Sequence, residues 1–155
     1  MVESAPLRDV YYSTEPHVPV VGGPFHRGYA RCLAGDLKGG REIILDFLAS
    51  VYCSRETETS TLRYVREIYR ENGMPLPTDR AGADPAIVRA AAARRFDRLH
   101  WPLLESIRRH GYLENQNFPI TLIRQTDRLL VCDGKNRSSI LAALGAEIIP
   151  EVRFL

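Results

Sequence analysis

Residues 128–152, RLLVCDGKNRSSILAALGAEIIPEV, place an apolar strand, a glycine turn, a helix and a second apolar strand in direct succession. Arg128 to Cys132 carries a short run of Leu and Val bounded by turn formers, the pattern of a strand. At Asp133-Gly134 the run stops, and Gly134 admits a sharp turn that a Cβ would obstruct. Asn136 to Leu144 then reads as a helix stopped by Gly145, and Ile148 to Phe154 as a final strand.

The turn between strand and helix has the chemistry of an anion cradle. The first turn of a helix presents backbone N–H groups with no intrahelical acceptor, together with the positive end of the helix dipole, and such an end attracts phosphate. Around Gly134, Lys135 adds a point charge and Arg137 a guanidinium that grips oxygens in pairs. Asn136, Ser138 and Ser139 add further donors, so Gly134 to Ser139 are the candidate phosphate- and nucleotide-binding residues. An ordinary turn with a solvated basic edge and a serine cap would draw on the same residue types. The density of turn formers, charges and donors over seven consecutive positions favours the cradle. Neither a Walker A loop nor a GxGxxG fingerprint is present.

Upstream, Trp101 to His110 reads as a helix with Leu103, Leu104 and Ile107 inward and Gly111 as its stop, and Pro119 to Ile123 as a short strand. Helix, strand, strand, helix, strand is an α+β order. Ahead of it, helices are predicted over Arg41–Tyr52, about Ser60–Asn72, and from an Asp84 cap through Arg94. Residues 1–40, rich in Pro and Gly, are predicted to be loops with one short strand at HVPVV, residues 17–21. The expected organisation is a mainly helical, loop-rich N-terminal extension over 1–95 packing on an α+β core over 96–155.

The chain has 155 residues, 45% of them hydrophobic, which suits a single core. Its 21 Lys and Arg against 19 Asp and Glu leave a net charge of +2, too little for long-range attraction to DNA or an anionic membrane. Glu3 and Asp9 interrupt the start where a secretory signal would be apolar, and no stretch is apolar for long enough to span a bilayer, so a cytoplasmic location is expected. Cys32, Cys53 and Cys132 form no CxxC pair, and His17, His26 and His110 stand apart, so neither a disulfide framework nor a zinc site is expected.

From Phe96 to Phe154 the chain resembles the ParB/sulfiredoxin superfamily. The residues that carry the likeness are Leu103 to Gly111 (LLESIRRHG), Pro119-Ile120, the box Asp133 to Arg137 (DGKNR), Gly145 and Ile149-Pro150. The resemblance implies a small mixed sheet with helices. Sulfiredoxins need a cysteine directly after the glycine of the box, where this chain has Lys135. The chromosome-partition members carry a glutamate there and continue into a DNA reader, for which the residues after the box leave no room. The box is closest to the stand-alone DGxxR members, of which free serine kinases are the informative example.

What that resemblance implies is an ATP-dependent, or other nucleotide-dependent, phosphotransferase acting on a hydroxyl of a small metabolite. Its nucleotide phosphates would lie on Gly134 to Ser139, and Asp133 would be catalytic and a ligand to Mg²⁺. An acidic residue ahead of the first shared helix serves as base in the kinase-like members. The nearest candidate is Asp97, with Glu105 the alternative, and a charged, solvated helix start would explain Asp97 equally well. Tyr29 and Tyr112 are candidates to line the pocket. The alternative function is a non-catalytic nucleotide or phosphate sensor that regulates a partner through a ligand-dependent surface. A ParB-like nuclease is disfavoured because the sequence offers no paired acidic metal site beyond Asp133, and DNA binding because the Arg residues from Arg89 to Arg109 are interleaved with Asp97 and Glu105 and the net charge is near neutral.

Overall fold

The computed structural model describes residues 3–13, 17–53, 69–71, 73, 84–112 and 118–155, with only the backbone of 51–53. The fold is α+β. Its strands are β1 (Glu3–Pro6), β2 (Val10–Tyr12), β3 (Ile120–Arg124), β4 (Leu129–Asp133) and β5 (Ile148–Phe154). Its helices are α1 (Pro24–Leu33), α2 (Leu37–Cys53), α3 (Pro85–Arg95), α4 (Trp101–His110) and α5 (Lys135–Ala143). The strands form one mixed sheet in the order β1-β5-β3-β4-β2.

β1 and β2 are the two edges of that sheet, yet only the 3₁₀ turn Leu7–Asp9 separates them in sequence. A flat sheet would set edge strands about 19 Å apart, at roughly 4.8 Å per neighbour. The four Cα–Cα steps from Pro6 to Val10 reach at most about 14 Å. The sheet is therefore curled, and its concave face is filled by Leu7, Val10, Tyr12, Ile120, Leu122, Val131, Ile149 and Val152, all buried.

The N-terminal segment departs from the expectation of loops. HVPVV is not a strand, because Pro19 has no N–H to give a ladder and forms only an isolated bridge to Tyr11. Val18 and Val20 instead cover the β2 edge through Tyr12 N–H to the Val18 carbonyl and Val20 N–H to the Val10 carbonyl, each 2.9 Å. The unexpected helix α1 starts on Pro24, whose fixed φ suits a first helical position. Gly28 in its middle weakened the helical signal, but the buried stripe Phe25, Tyr29 and Cys32 supplies the packing that holds it.

The expected helices over 41–52, 84–94 and 101–110 appear as α2, α3 and α4, and the Asp84 side chain accepts from the Ala86 N–H at 2.9 Å as a cap. The helix expected over about 60–72 lies mostly outside the described residues, and Tyr69–Glu71 are helical. The position 95/96 expected as a boundary falls inside one helical run, since α3 continues through a π turn, Phe96–His100, into α4. Pro102 accounts for that turn. It has no N–H, and in a regular α-helix its ring would strike the carbonyl four residues back. The widened turn, with Trp101 N–H donating to the Phe96 carbonyl, relieves the clash.

α1 and α2 cross closely at two glycines. A Cβ on Gly40 would overlap the Gly28 carbonyl oxygen and lie 2.5 Å from Cys32 Sγ, so the backbones touch where side chains are absent. Replacing Gly40→Ala is expected to cost on the order of 1–3 kcal/mol from overpacking, against a gain of at most about 1 kcal/mol in helix propensity. Urea unfolding should show a lower midpoint at unchanged slope. An unchanged midpoint would mean the two helices do not approach this closely.

Candidate functional site

β4 pairs with β3 in a register that shifts between Thr121↔Asp133 and Leu122↔Val131, leaving Cys132 as an extra residue. The bulge breaks the strand's alternation. Leu130 and Val131 are both buried, and Cys132 and Asp133 are both exposed. Asp133 is thereby turned out at the end of the strand, directly before the turn into α5. Cys132 comes out as well, and partial burial raises its thiol above the ordinary range.

Gly134 is required twice. Its φ of 95° lies in the left-handed region, and a Cβ there would stand 2.6 Å from Ile120 Cγ1 on the neighbouring strand. As the N-cap of α5 it contributes no side chain to the first turn. The first intrahelical bond runs from Ser138 N–H to the Gly134 carbonyl at 2.8 Å, so the amides of Lys135, Asn136 and Arg137 precede it. A cleft of about 380 Å³ opens over this turn, lined by Leu103, Phe118, Asp133, Gly134, Lys135, Asn136 and Arg137.

The structure thus brings Asp133 to Arg137 together at one cleft, and each side chain in it is held. Arg137, 13% exposed, donates through Nη1 to the Phe118 carbonyl and through Nη2 to Asp133 Oδ2 at 3.3 Å. Lys135 Nζ lies 5.0 Å from the ring centre of Tyr12 and 5.4 Å from that of Phe25, so an aromatic floor supports the ammonium. The Asn136 Oδ1 accepts from the Tyr29 hydroxyl at 2.8 Å. Burial holds that phenol well above its usual range, so it keeps its proton and donates. With the oxygen so occupied, the amide NH₂ of Asn136 is the end left for the cleft. Ser138 and Ser139 were expected to donate to the ligand, but both are fully buried and their hydroxyls bond the Lys135 carbonyl at 3.0 and 2.7 Å. They shape the first turn from inside.

Asp97 does not line the cleft. It sits on the π turn, 61% exposed, and takes Arg41 Nε at 3.1 Å and Nη2 at 3.0 Å in a two-pronged ion pair. Glu105 likewise pairs with Arg108 at 2.9 Å. Two residues given little or no weight in the sequence reading belong to the surroundings instead. Among the described residues, the buried side-chain polar atoms without a hydrogen-bond partner are His100 Nδ1 and the Tyr112 hydroxyl. His100 is pushed down to about 4, first by burial and then by the charges of Arg95 and Lys135. Tyr112 is pushed up to about 12 by burial, against the pull of Arg137 and the Ile120 amide, with Glu151 and Asp133 raising it further. Orphaned buried polar atoms cost free energy and are rare. Both here feel the charges of this one cleft. The signal in the sequence was faint: Tyr112 stood only as a candidate to line the pocket, and His100 only as one of the charged neighbours of Asp97.

Among the described residues, no three His, Cys, Asp or Glu side chains gather into a metal-binding group. Among the described residues, Asp133 is the one carboxylate lining the cleft. That donor set fits Mg²⁺ arriving on phosphates, because this ion takes one or two carboxylates and fills its remaining positions with phosphate oxygens and water. Among the described residues, no helix is long and apolar enough to cross a membrane. Comparison with family models, curated proteins and solved structures finds no match for this chain.

Two outcomes follow. The folded His100 resists protonation, its imidazole lying well below the ordinary histidine value of about 6.5. Native protein then binds fewer protons than unfolded protein between about pH 4 and 6.5, and stability falls as pH drops through that window, by on the order of 3 kcal/mol. Chemical unfolding from pH 7 to 4 should show this decline, and His100→Leu should flatten it. A decline of the same size in both proteins would remove His100 as its source. Tyr29→Phe removes only the hydroxyl that orients Asn136. It should weaken binding of inorganic tripolyphosphate severalfold by calorimetry, and should have no effect in an Asn136→Ala background. Equal losses in both backgrounds would show that Tyr29 does not act through Asn136.

Proposed function

We propose that the protein is a nucleotide-dependent phosphotransferase that carries the terminal phosphoryl group of ATP to a hydroxyl of a small metabolite. The observation that carries this reading is the side-chain-free N-cap of α5 opening into a cleft that also holds Arg137, Lys135 and the exposed carboxylate of Asp133. Phosphoryl transfer asks for positioning and charge neutralisation more than for covalent chemistry. First-turn amides, the Asn136 NH₂ and the Arg137 guanidinium would bind the phosphate oxygens, and Lys135 would add charge from its aromatic floor. Asp133 would hold Mg²⁺, whose charge would offset that building on the transferred group. In the transfer, the bond from the terminal phosphorus to the nucleoside diphosphate breaks as the acceptor oxygen bonds to phosphorus, and the hydroxyl proton leaves to Asp133 or water.

The resemblance of residues 96–155 to the ParB/sulfiredoxin superfamily supports the same reading. The shared helix, Pro-Ile strand, box and Ile-Pro strand correspond to α4, β3, the β4–α5 turn and β5. A second reading, a nucleotide or phosphate sensor without turnover, has one observation in its favour: Asp97, the expected base, is engaged by Arg41 away from the cleft.

Purified protein with Mg²⁺ should be stabilised against heat by ATP, since a ligand that binds only the native state raises its stability. It should also release ADP in the presence of a hydroxyl acceptor. Asp133→Asn should retain nucleotide binding within a few fold and lose turnover by at least a hundredfold, while Arg137→Ala should weaken binding itself by tenfold or more. Binding without product would favour the sensor. Turnover unchanged in both variants would overturn the assignment.

A further inference from the structure

The same cleft has apolar lining that the phosphate chemistry does not use. Beside Asp133, Lys135, Asn136 and Arg137 it is lined by Leu103 and Phe118. Phe118 is 72% exposed, the highest value for a large apolar residue among those described, whereas Phe25 and Phe96 are each 1% exposed in the core. A lone exposed apolar side chain is ordinary on a protein surface. Phe118 is distinguished by where it stands: its backbone carbonyl accepts from Arg137 Nη1, so the chain that carries the ring is held beside the guanidinium of the anion cradle. Ring and charge therefore belong to one opening.

A free phosphate would occupy only a fraction of a cleft of about 380 Å³, a volume within the range of small-molecule sites. An exposed aromatic ring and an anion cradle lining one cleft match a ligand that carries both a flat aromatic group and a phosphate. We propose that the ligand of this cleft is a nucleotide whose base stacks on Phe118, making Phe118 the residue that distinguishes nucleotides from other polyphosphates. This rests on the phosphotransfer reading for the anion, and adds the second subsite. Stacking is tolerant of base identity, because every base offers a π face, so Phe118 selects the class of ligand.

Calorimetric titration of the whole protein with ATP and with inorganic tripolyphosphate, both with Mg²⁺, separates the two subsites. The wild-type protein is expected to bind ATP at least about tenfold more tightly than tripolyphosphate, the scale of one stacked base. Phe118→Ala should erase that difference by weakening ATP alone, and Phe118→Trp should keep or increase it. An unchanged ratio in Phe118→Ala overturns the stacking role while leaving the phosphate site standing. Equal weakening of both ligands also overturns it, by showing that the side chain serves only to hold Arg137. Failure of the wild-type protein to bind either ligand overturns the phosphate site and the stacking subsite together.

Discussion

The three residues Leu7–Asp9 join opposite edges of a five-stranded sheet, and that short tether governs how the rest of the chain can be arranged. A sheet whose edges must come within reach of each other curls, and here its buried side chains pack in one core with those of the helices, Tyr12 against Phe25 of α1 and Phe47 of α2. A ligand then has no room in that core. The accessible positions are the strand ends and the turns that leave them. The candidate site lies at one such end, where β4 ends one residue past its bulge, at Asp133, and hands over to α5 through Gly134. Sites at the carboxyl ends of strands, facing a helix N-terminus, follow from the same geometry in open α/β sheets.

The curl also explains why distant parts of the chain meet at this turn. β2 lies beside β4, so Tyr12 comes beneath Lys135, and α1 follows β2 closely enough for Phe25 and Tyr29 to reach the first turn of α5. α1 can approach only because α2 passes it at Gly28 and Gly40 without intervening side chains. A chain of packing thus runs from two glycines in the helical layer to the orientation of one amide in the cleft. The link is physical and local at each step: helix crossing, aromatic stripe, one hydrogen bond of 2.8 Å.

Much of this was legible in the sequence where local chemistry dominates. The Asp84 cap, the Gly111 and Gly145 stops and the final strand Ile148–Phe154 follow from residues whose preferences are strong and short-ranged, and the structure has them. The cradle from Asp133 to Arg137 was legible for the same reason. What escaped was set by tertiary contact. The edge strands β1 and β2 are only 4 and 3 residues long and owe their conformation to β5 and β4. Ser138 and Ser139 look like donors on paper, yet the helix phase turns them inward. Asp97 looked free because nothing near it in sequence announces Arg41, 56 positions away. The gathering of Tyr29, His100 and Tyr112 around one turn has no local signature at all.

The pairing of Arg137 with Asp133 bears on how the cleft would take up an anion. With Asp133 66% exposed, their contact of 3.3 Å is a surface ion pair, worth at most about 1 kcal/mol. A phosphate offers the same guanidinium a charge-assisted, two-pronged partner and also engages the helix amides. The guanidinium meanwhile stays anchored on the Phe118 carbonyl, so the exchange requires little new ordering of a long side chain. Asp133 would then be released at the moment a metal ion or an acceptor hydroxyl needs an oxygen ligand. On the proposed function, Arg137 and Asp133 of the DGKNR box, paired in the structure, would separate when the ligand binds, and the bulge at Cys132 turns Asp133 out toward the opening that Arg137 also lines.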